Sequence, residues 1–182
     1  MKFKNTNVLI TGGASGIGKI MGRMALEKGA KCFIIWDINI AAIEETRKEL
    51  SRFGKVKGYA VDVASNDIVT LAYRKTVEEC GEIDILINCA GVITSNKTFD
   101  QQTPDEIVKT MNINTIAPMF VARAMLPDML KRNRGHVCTI ASAGGTPSAR
   151  NSLMAESSIT AFLIFIPTKP IRPSNEKKSK LL

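Results

Sequence analysis

Histidine and tryptophan occur once each in this 182-residue chain, and tyrosine only twice. The four cysteines (Cys32, Cys80, Cys89 and Cys138) form no Cys-x-x-Cys pair and have no histidine at metal-ligand spacing. No metal site is expected. Three of these cysteines sit in apolar runs that read as strands or strand ends, the setting of buried, reduced thiols in a cytosolic protein. The first residues, Met1-Lys-Phe-Lys-Asn-Thr-Asn, contain no signal-peptide core. The longest apolar stretch, Ile159 to Ile166, falls far short of the roughly 20 residues that span a bilayer. A membrane partner is therefore not expected, and the cytoplasm is the default compartment. Internal repeats and low-complexity tracts are also missing.

What is present is a composition ordinary for a folded domain, 45% hydrophobic and 23% charged. The formal net charge is +8. From Met1 to Thr146 there are 19 basic and 15 acidic residues, and the last 36 residues hold 6 basic against 2 acidic. A basic balance can serve nucleic acid or an anionic surface. No aromatic-rich basic patch accompanies it, so a solvated surface and no nucleic-acid partner are expected.

Short apolar runs alternate with longer amphipathic segments. Strands are expected at Val8–Ile10, Lys31–Trp36, Val56–Val63, Ile83–Ile87 and His136–Ala141. Helices are expected at Gly16–Lys28, Ile40–Phe53, Ser65–Cys80 and 103–131, the last opened by a capping box of Thr103, Pro104 and Glu106. Continuous apolar strands suit a parallel sheet covered on both faces. The alternation argues for right-handed βαβ units in a doubly wound α/β (Rossmann) sheet, incomplete on its C-terminal side. Residues 1–145 form the expected domain. From 146 to 182 the composition changes to an atypical tail, expected to be partly disordered.

Two features carry chemistry. The turn Thr11-Gly12-Gly13-Ala14-Ser15-Gly16-Ile17-Gly18 follows a strand and opens a helix. A pyrophosphate needs backbone N–H donors at a helix N-terminus with no side chain in the way. Gly12 suits the tight turn, Gly16 the close approach and Gly18 the packing of helix on strand. Thr11, Ser15 and Ile17 complete this candidate site. Asp37 ends the second strand, 19 residues beyond Gly18. A carboxylate there accepts hydrogen bonds from the adenosine ribose and repels a 2′-phosphate, which favours NAD and makes NADP the less favoured cofactor. Lys19 and Arg23 are nearby cations that would soften this preference.

The glycine turn, Asp62-Val63 after the third strand and Asn88-Cys89-Ala90-Gly91 after the fourth occur in order and at fitting intervals. Together they resemble the short-chain dehydrogenase/reductase family, most closely its classical branch. The resemblance implies that Asp62 and Val63 bracket the adenine. It also implies that Asn88, Ala90 and Gly91 form a turn beside the cofactor, where Cys89 replaces the family's second asparagine. Asn114, in Met111-Asn112-Ile113-Asn114-Thr115, falls where the family's asparagine holds a water of the proton relay. Ser142, ending Gly135-His136-Val137-Cys138-Thr139-Ile140-Ala141-Ser142, falls where a hydroxyl positions the substrate carbonyl. The implied partner is a small-molecule alcohol or carbonyl substrate. Self-association, or pairing with a full-length relative, stays open. His136 is expected to be structural.

The same resemblance requires a Tyr-x-x-x-Lys shortly after the serine. The tyrosine is the general acid–base, and the lysine lowers its pKa and holds the nicotinamide ribose. The matching positions are Ala155 and Ile159, and no Tyr-x-x-x-Lys occurs anywhere in the chain. The tail therefore arises either as an unrelated segment or from a deletion that removes the catalytic element. Two functions remain open. One is an oxidoreductase relative that binds its dinucleotide without its own acid–base; the other is a non-catalytic NAD-binding module or gene remnant.

Overall fold

The computed structural model describes residues 2–93 and 99–140. Five parallel strands form one sheet in the order β3-β2-β1-β4-β5. They are β1 (Asn7–Thr11), β2 (Cys32–Asp37), β3 (Val56–Ala60), β4 (Ile85–Asn88) and β5 (His136–Thr139). The helices are α1 (Gly16–Glu27), α2 (Ile40–Leu50), α3 (Asn66–Cys80), α4 (Pro104–Met111) and α5 (Ala117–Lys131). The doubly wound α/β class expected from the alternation is thus the one observed. Ser142 and the tail lie outside the described residues.

Side-chain alternation along the strands builds a core on each face. Leu9, Ile34, Trp36 and Leu86 meet Val69, Val121 and Met125 on one side. Val8, Ile10, Phe33 and Ile35 meet Ala25, Leu26 and Ile43 on the other. Trp36 is fully buried, and its indole N–H donates to Thr76 Oγ1 at 3.1 Å. That bond lets a polar ring nitrogen lie inside without a desolvation cost left unmet.

Most boundaries fall within one or two residues of the expectation, and three departures are larger. β3 ends at Ala60 rather than Val63, because Asp62 folds the chain into a turn: its carboxylate accepts from Ala64 N at 2.9 Å and its carbonyl from Ser65 N at 3.2 Å. α2 stops at Leu50, where Phe53 N bonds back to the Leu50 carbonyl. The single helix expected over 103–131 is divided by a π-helical segment, Asn112–Ile116. Pro118 has no N–H to offer Asn114 in an α-helical register, so the regular ladder cannot run through this point.

The capping box at Thr103 is present in both directions, Glu106 N to Thr103 Oγ1 at 3.2 Å and Thr103 N to Glu106 Oε2 at 2.8 Å. Thr103→Ala will cost about 1 kcal/mol of stability. Urea unfolding should show this as a lower midpoint at unchanged slope.

The order of the strands positions the site. From β1 the chain runs outward through β2 to β3, then returns to place β4 on the other side of β1. The loops leaving β1 and β4 therefore diverge, opening a crevice at the carboxyl ends of the strands.

Candidate dinucleotide site

A cleft of about 400 Å³ opens at that crevice. Its walls include Gly12, Ser15, Gly16, Ile17 and Gly18 from the first turn. Asp37, Asp62, Val63, Ala90 and Gly91 join them from the loops after β2, β3 and β4. Residues far apart in sequence are thus brought to one crevice.

The first turn shows why two of its glycines are needed. Gly16 has φ +49° and open space where a Cβ would stand. Any side chain there would project into free volume at the start of α1. A Cβ on Gly18 would collide with the Gly12 carbonyl, so helix and turn pack as closely as they do only because it is absent. The open approach at Gly16 and the exposed start of α1 fit the diphosphate of a dinucleotide, which needs N–H donors and space for its oxygens.

Thr11 takes a different place from its neighbours. It is buried and does not line the cleft; its hydroxyl oxygen accepts from Cys89 N at 3.0 Å and Ala90 N at 3.1 Å. It ties the first turn to the fourth. Asp37 does line the cleft, with Oδ2 accepting from Ala14 N at 3.2 Å and Oδ1 from Asn39 N at 3.1 Å. Its carboxylate therefore braces the glycine turn as well as facing the cleft. Lys19 is engaged by Glu49 at 2.6 Å. Arg23 is engaged by Glu27 at 2.8 Å and also lies over the Phe53 ring. Neither cation lines the cleft.

A second cavity of about 350 Å³ adjoins the first and shares Ile17, Ala90, Gly91 and Val92 with it. Asn88, Asn114, Pro118 and Thr139 form part of its remaining wall. Asn114 grips the backbone of Val92 twice, accepting from Val92 N at 2.8 Å and donating to Val92 O at 2.9 Å. The π-helical segment carries this side chain at its centre and aims it at the turn after β4. Asn88 is buried; its amide donates to the Pro118 carbonyl at 3.4 Å and to Thr139 Oγ1 at 3.5 Å. Its own Oδ1 has no protein partner.

The cysteines are free thiols. Burial pushes Cys32 up to about 12, with Cys80 beside it adding to the rise. Burial also raises Cys89, which lines both cavities, so its thiol is neutral and weakly nucleophilic near pH 7. Both tyrosines stand away from the two cavities. Tyr59 donates to Glu79 at 3.0 Å on the β3 edge, and Tyr73 donates to Asp128 at 2.6 Å between α3 and α5. Burial and these carboxylates hold both phenols above their ordinary range, so neither suits acid–base work near pH 7. His136 begins β5, at the end of the strand remote from the cleft.

Sequence reasoning missed several lining residues: Ile38, Val61, Val92, Ile113 and Ile140. Ile38 is 71% exposed directly after Asp37, an isoleucine in water at the mouth of a cleft. That position after an acidic strand end was the available signal.

Comparison with known proteins agrees with this geometry. The sequence pattern of a family described as short chain dehydrogenase matches residues 6–156. Estradiol 17-beta-dehydrogenase 11 of Rattus norvegicus is 40% identical over 139 residues, covering 76% of this chain and 46% of that protein. The human protein named short-chain dehydrogenase/reductase 3 is 31% identical over 161 residues, covering 86% of this chain and 53% of its own length. The chain spans about half the length of the curated relatives it matches. Among solved structures, a short chain dehydrogenase from Mycobacterium smegmatis superposes with TM-score 0.80 at 28% identity, covering 87% of this chain and 66% of that one. An NAD+-bound xylitol dehydrogenase shares the fold with TM-score 0.82 at 24% identity, covering 87% and 61%.

Proposed function

The chain belongs to the short-chain dehydrogenase family, whose members use NAD(P) on small-molecule alcohols and carbonyls, and from that premise we propose that it binds NAD without its own acid–base. The observation that carries the proposal is the cleft where the Gly12–Gly18 turn, Asp37, Asp62 and Val63 meet. The turn would hold the diphosphate by its N–H groups, Asp37 the adenosine ribose, and Asp62 with Val63 the adenine edge. A dinucleotide held by these residues would supply hydride transfer through its nicotinamide ring. The chain's own contribution is to hold and orient that cofactor.

NAD is the favoured cofactor and NADP the weaker one. Asp37 puts a negative charge at the ribose, while Lys19 and Arg23 are held by Glu49 and Glu27. A 2′-phosphate would meet repulsion, and no lysine or arginine is among the described residues of the cleft wall to offset it. Asp37→Asn keeps the shape and removes the charge. Its NAD affinity should fall about tenfold, the difference between a charge-assisted and a neutral hydrogen bond. NADP affinity should rise as the repulsion is removed, so the ratio of the two dissociation constants narrows. Titration of both cofactors checks this, and an unchanged ratio contradicts the role given to Asp37.

Catalysis is separable from binding in this chain. Asn114 stands beside the cleft, but no Tyr-x-x-x-Lys occurs in the sequence and neither tyrosine lies in reach. Loss of acid–base catalysis typically costs on the order of 10²–10⁴ in rate. Turnover of an alcohol or carbonyl substrate at ordinary rates would need that pair from residues other than these 182, such as those of a full-length relative. The four free thiols suit a reducing, cytoplasmic setting.

A further inference from the structure

One buried hydroxyl serves the glycine turn from outside the cleft. Thr46 lies on α2, is 1% exposed and does not line the cleft. A threonine inside a helix can spend its hydroxyl proton on the carbonyl four residues back. Thr70 does so on Asn66 at 2.9 Å and Thr110 on Glu106 at 2.8 Å. Thr46 instead reaches out of its helix and donates to the carbonyl of Ala14 at 2.7 Å, 32 residues away in sequence.

Ala14, in the middle of the turn, is therefore held from two sides. Its N–H donates to Asp37 Oδ2 at 3.2 Å, and its carbonyl accepts from Thr46. The second bond also orients the next donor. The Ala14–Ser15 peptide is planar and trans, so a carbonyl turned towards α2 turns the Ser15 N–H the opposite way. Ser15 lines the cleft, and its side chain does not cap α1, so the backbone there is set by what holds Ala14. α2 is anchored to the same place. Asn39 caps it by accepting from Ala42 N at 3.0 Å, and donates its own N–H to Asp37 Oδ1 at 3.1 Å. Asp37, α2 and the turn are thus joined in one closed loop of hydrogen bonds.

We propose that Thr46 is a positioning residue for dinucleotide binding, fixing the Ala14–Ser15 peptide so that the turn presents the Ser15 N–H to the diphosphate. This rests on the dinucleotide reading above and adds to it a residue outside both the turn and the cleft. The effect passes through the diphosphate, which NAD and NADP share, and so differs from that of Asp37.

Calorimetric titration of Thr46→Val and Thr46→Ser with NAD and NADP tests it, beside Thr103→Ala as a variant weakened in stability away from the cleft. Valine keeps the branched shape and removes the hydroxyl. Thr46→Val should weaken both dinucleotides by the same factor, about tenfold, the worth of one charge-assisted hydrogen bond. Thr46→Ser keeps the donor and should stay within about threefold of the unaltered chain, while Thr103→Ala should bind as the unaltered chain does. Thr46→Ala and Thr46→Ser differ by the hydroxyl alone, and carry the same comparison if the valine variant does not melt cooperatively. NAD bound equally with and without the hydroxyl would overturn the inference and leave the dinucleotide reading intact. Serine binding no better than valine would assign Thr46 to packing and overturn it as well. A loss confined to one dinucleotide would overturn the route through the diphosphate. If the unaltered chain melts cooperatively and binds neither dinucleotide, the dinucleotide reading fails together with the inference.

Discussion

Gly16→Leu will abolish NAD binding while leaving the fold standing. Gly16 has φ +49° and no neighbour within 4 Å of where its Cβ would be. A Cβ there meets no packed atom, so the expected loss to the fold is the cost of a left-handed backbone, about 1–2 kcal/mol. The ligand loses far more, because the side chain fills the space through which a diphosphate reaches the N–H groups of α1. A loss of at least about 100-fold in affinity is expected, equivalent to some 2.8 kcal/mol. Thermal melts in the absence of ligand measure the first effect and calorimetric titration the second. A variant that melts cooperatively and binds NAD normally would contradict the placement of the diphosphate at this turn.

Asn114→Ala will weaken both the fold and the site, through a route that substrate chemistry does not enter. The substitution removes both hydrogen bonds to Val92 and leaves a half-buried backbone N–H and carbonyl without them. Each such loss costs about 1–1.5 kcal/mol, so a destabilisation of about 2–3 kcal/mol is expected. Gly91 and Val92 line the cleft, so releasing them should also raise the NAD dissociation constant by about tenfold. Asn114→Asp keeps the acceptor for Val92 N and should recover part of both losses. A purely catalytic asparagine would leave ligand-free stability and NAD affinity unchanged, and denaturant unfolding with titration distinguishes the two.

The parts of this fold written in local chemistry were legible in the sequence. Strand–helix alternation, the glycine turn and the capping box at Thr103 each depend on neighbouring residues, and each is found where local rules place it. Other features depend on contacts between distant segments. Nothing near Thr11 announces that its hydroxyl serves the Asn88–Gly91 turn, 78 and 79 residues further on. The π-helical segment was concealed inside a good helical pattern, although Pro118 marked where a helical N–H would be missing. Apolar lining residues such as Val61 and Ile140 look like core in sequence, and only the divergence of loops after β1 and β4 makes them walls of a cleft.

The relation between family and activity turns on particular positions. Asp37, Asp62 and Asn114 are all brought to the two cavities, which supports cofactor binding. Ser142 lies outside the described residues, and the positions for the acid–base pair hold Ala155 and Ile159. Membership of the family thus supports the binding half of its chemistry more strongly than the catalytic half. Among the described residues no helix is long and apolar enough to cross a membrane.

The separation of binding from catalysis is tested most directly by one paired measurement on the purified chain. Thermal stability is followed against NAD concentration, and NADH fluorescence is followed in the same samples with a panel of alcohols. A ligand specific to the folded state adds about 2.7 kcal/mol at 100 times its dissociation constant. The account predicts that saturable stabilisation, with NADH formation absent or slower by about 10²–10⁴ than in a full-length relative. NADH production at a full-length relative's rate, or a cooperative melt that NAD does not move, would contradict it.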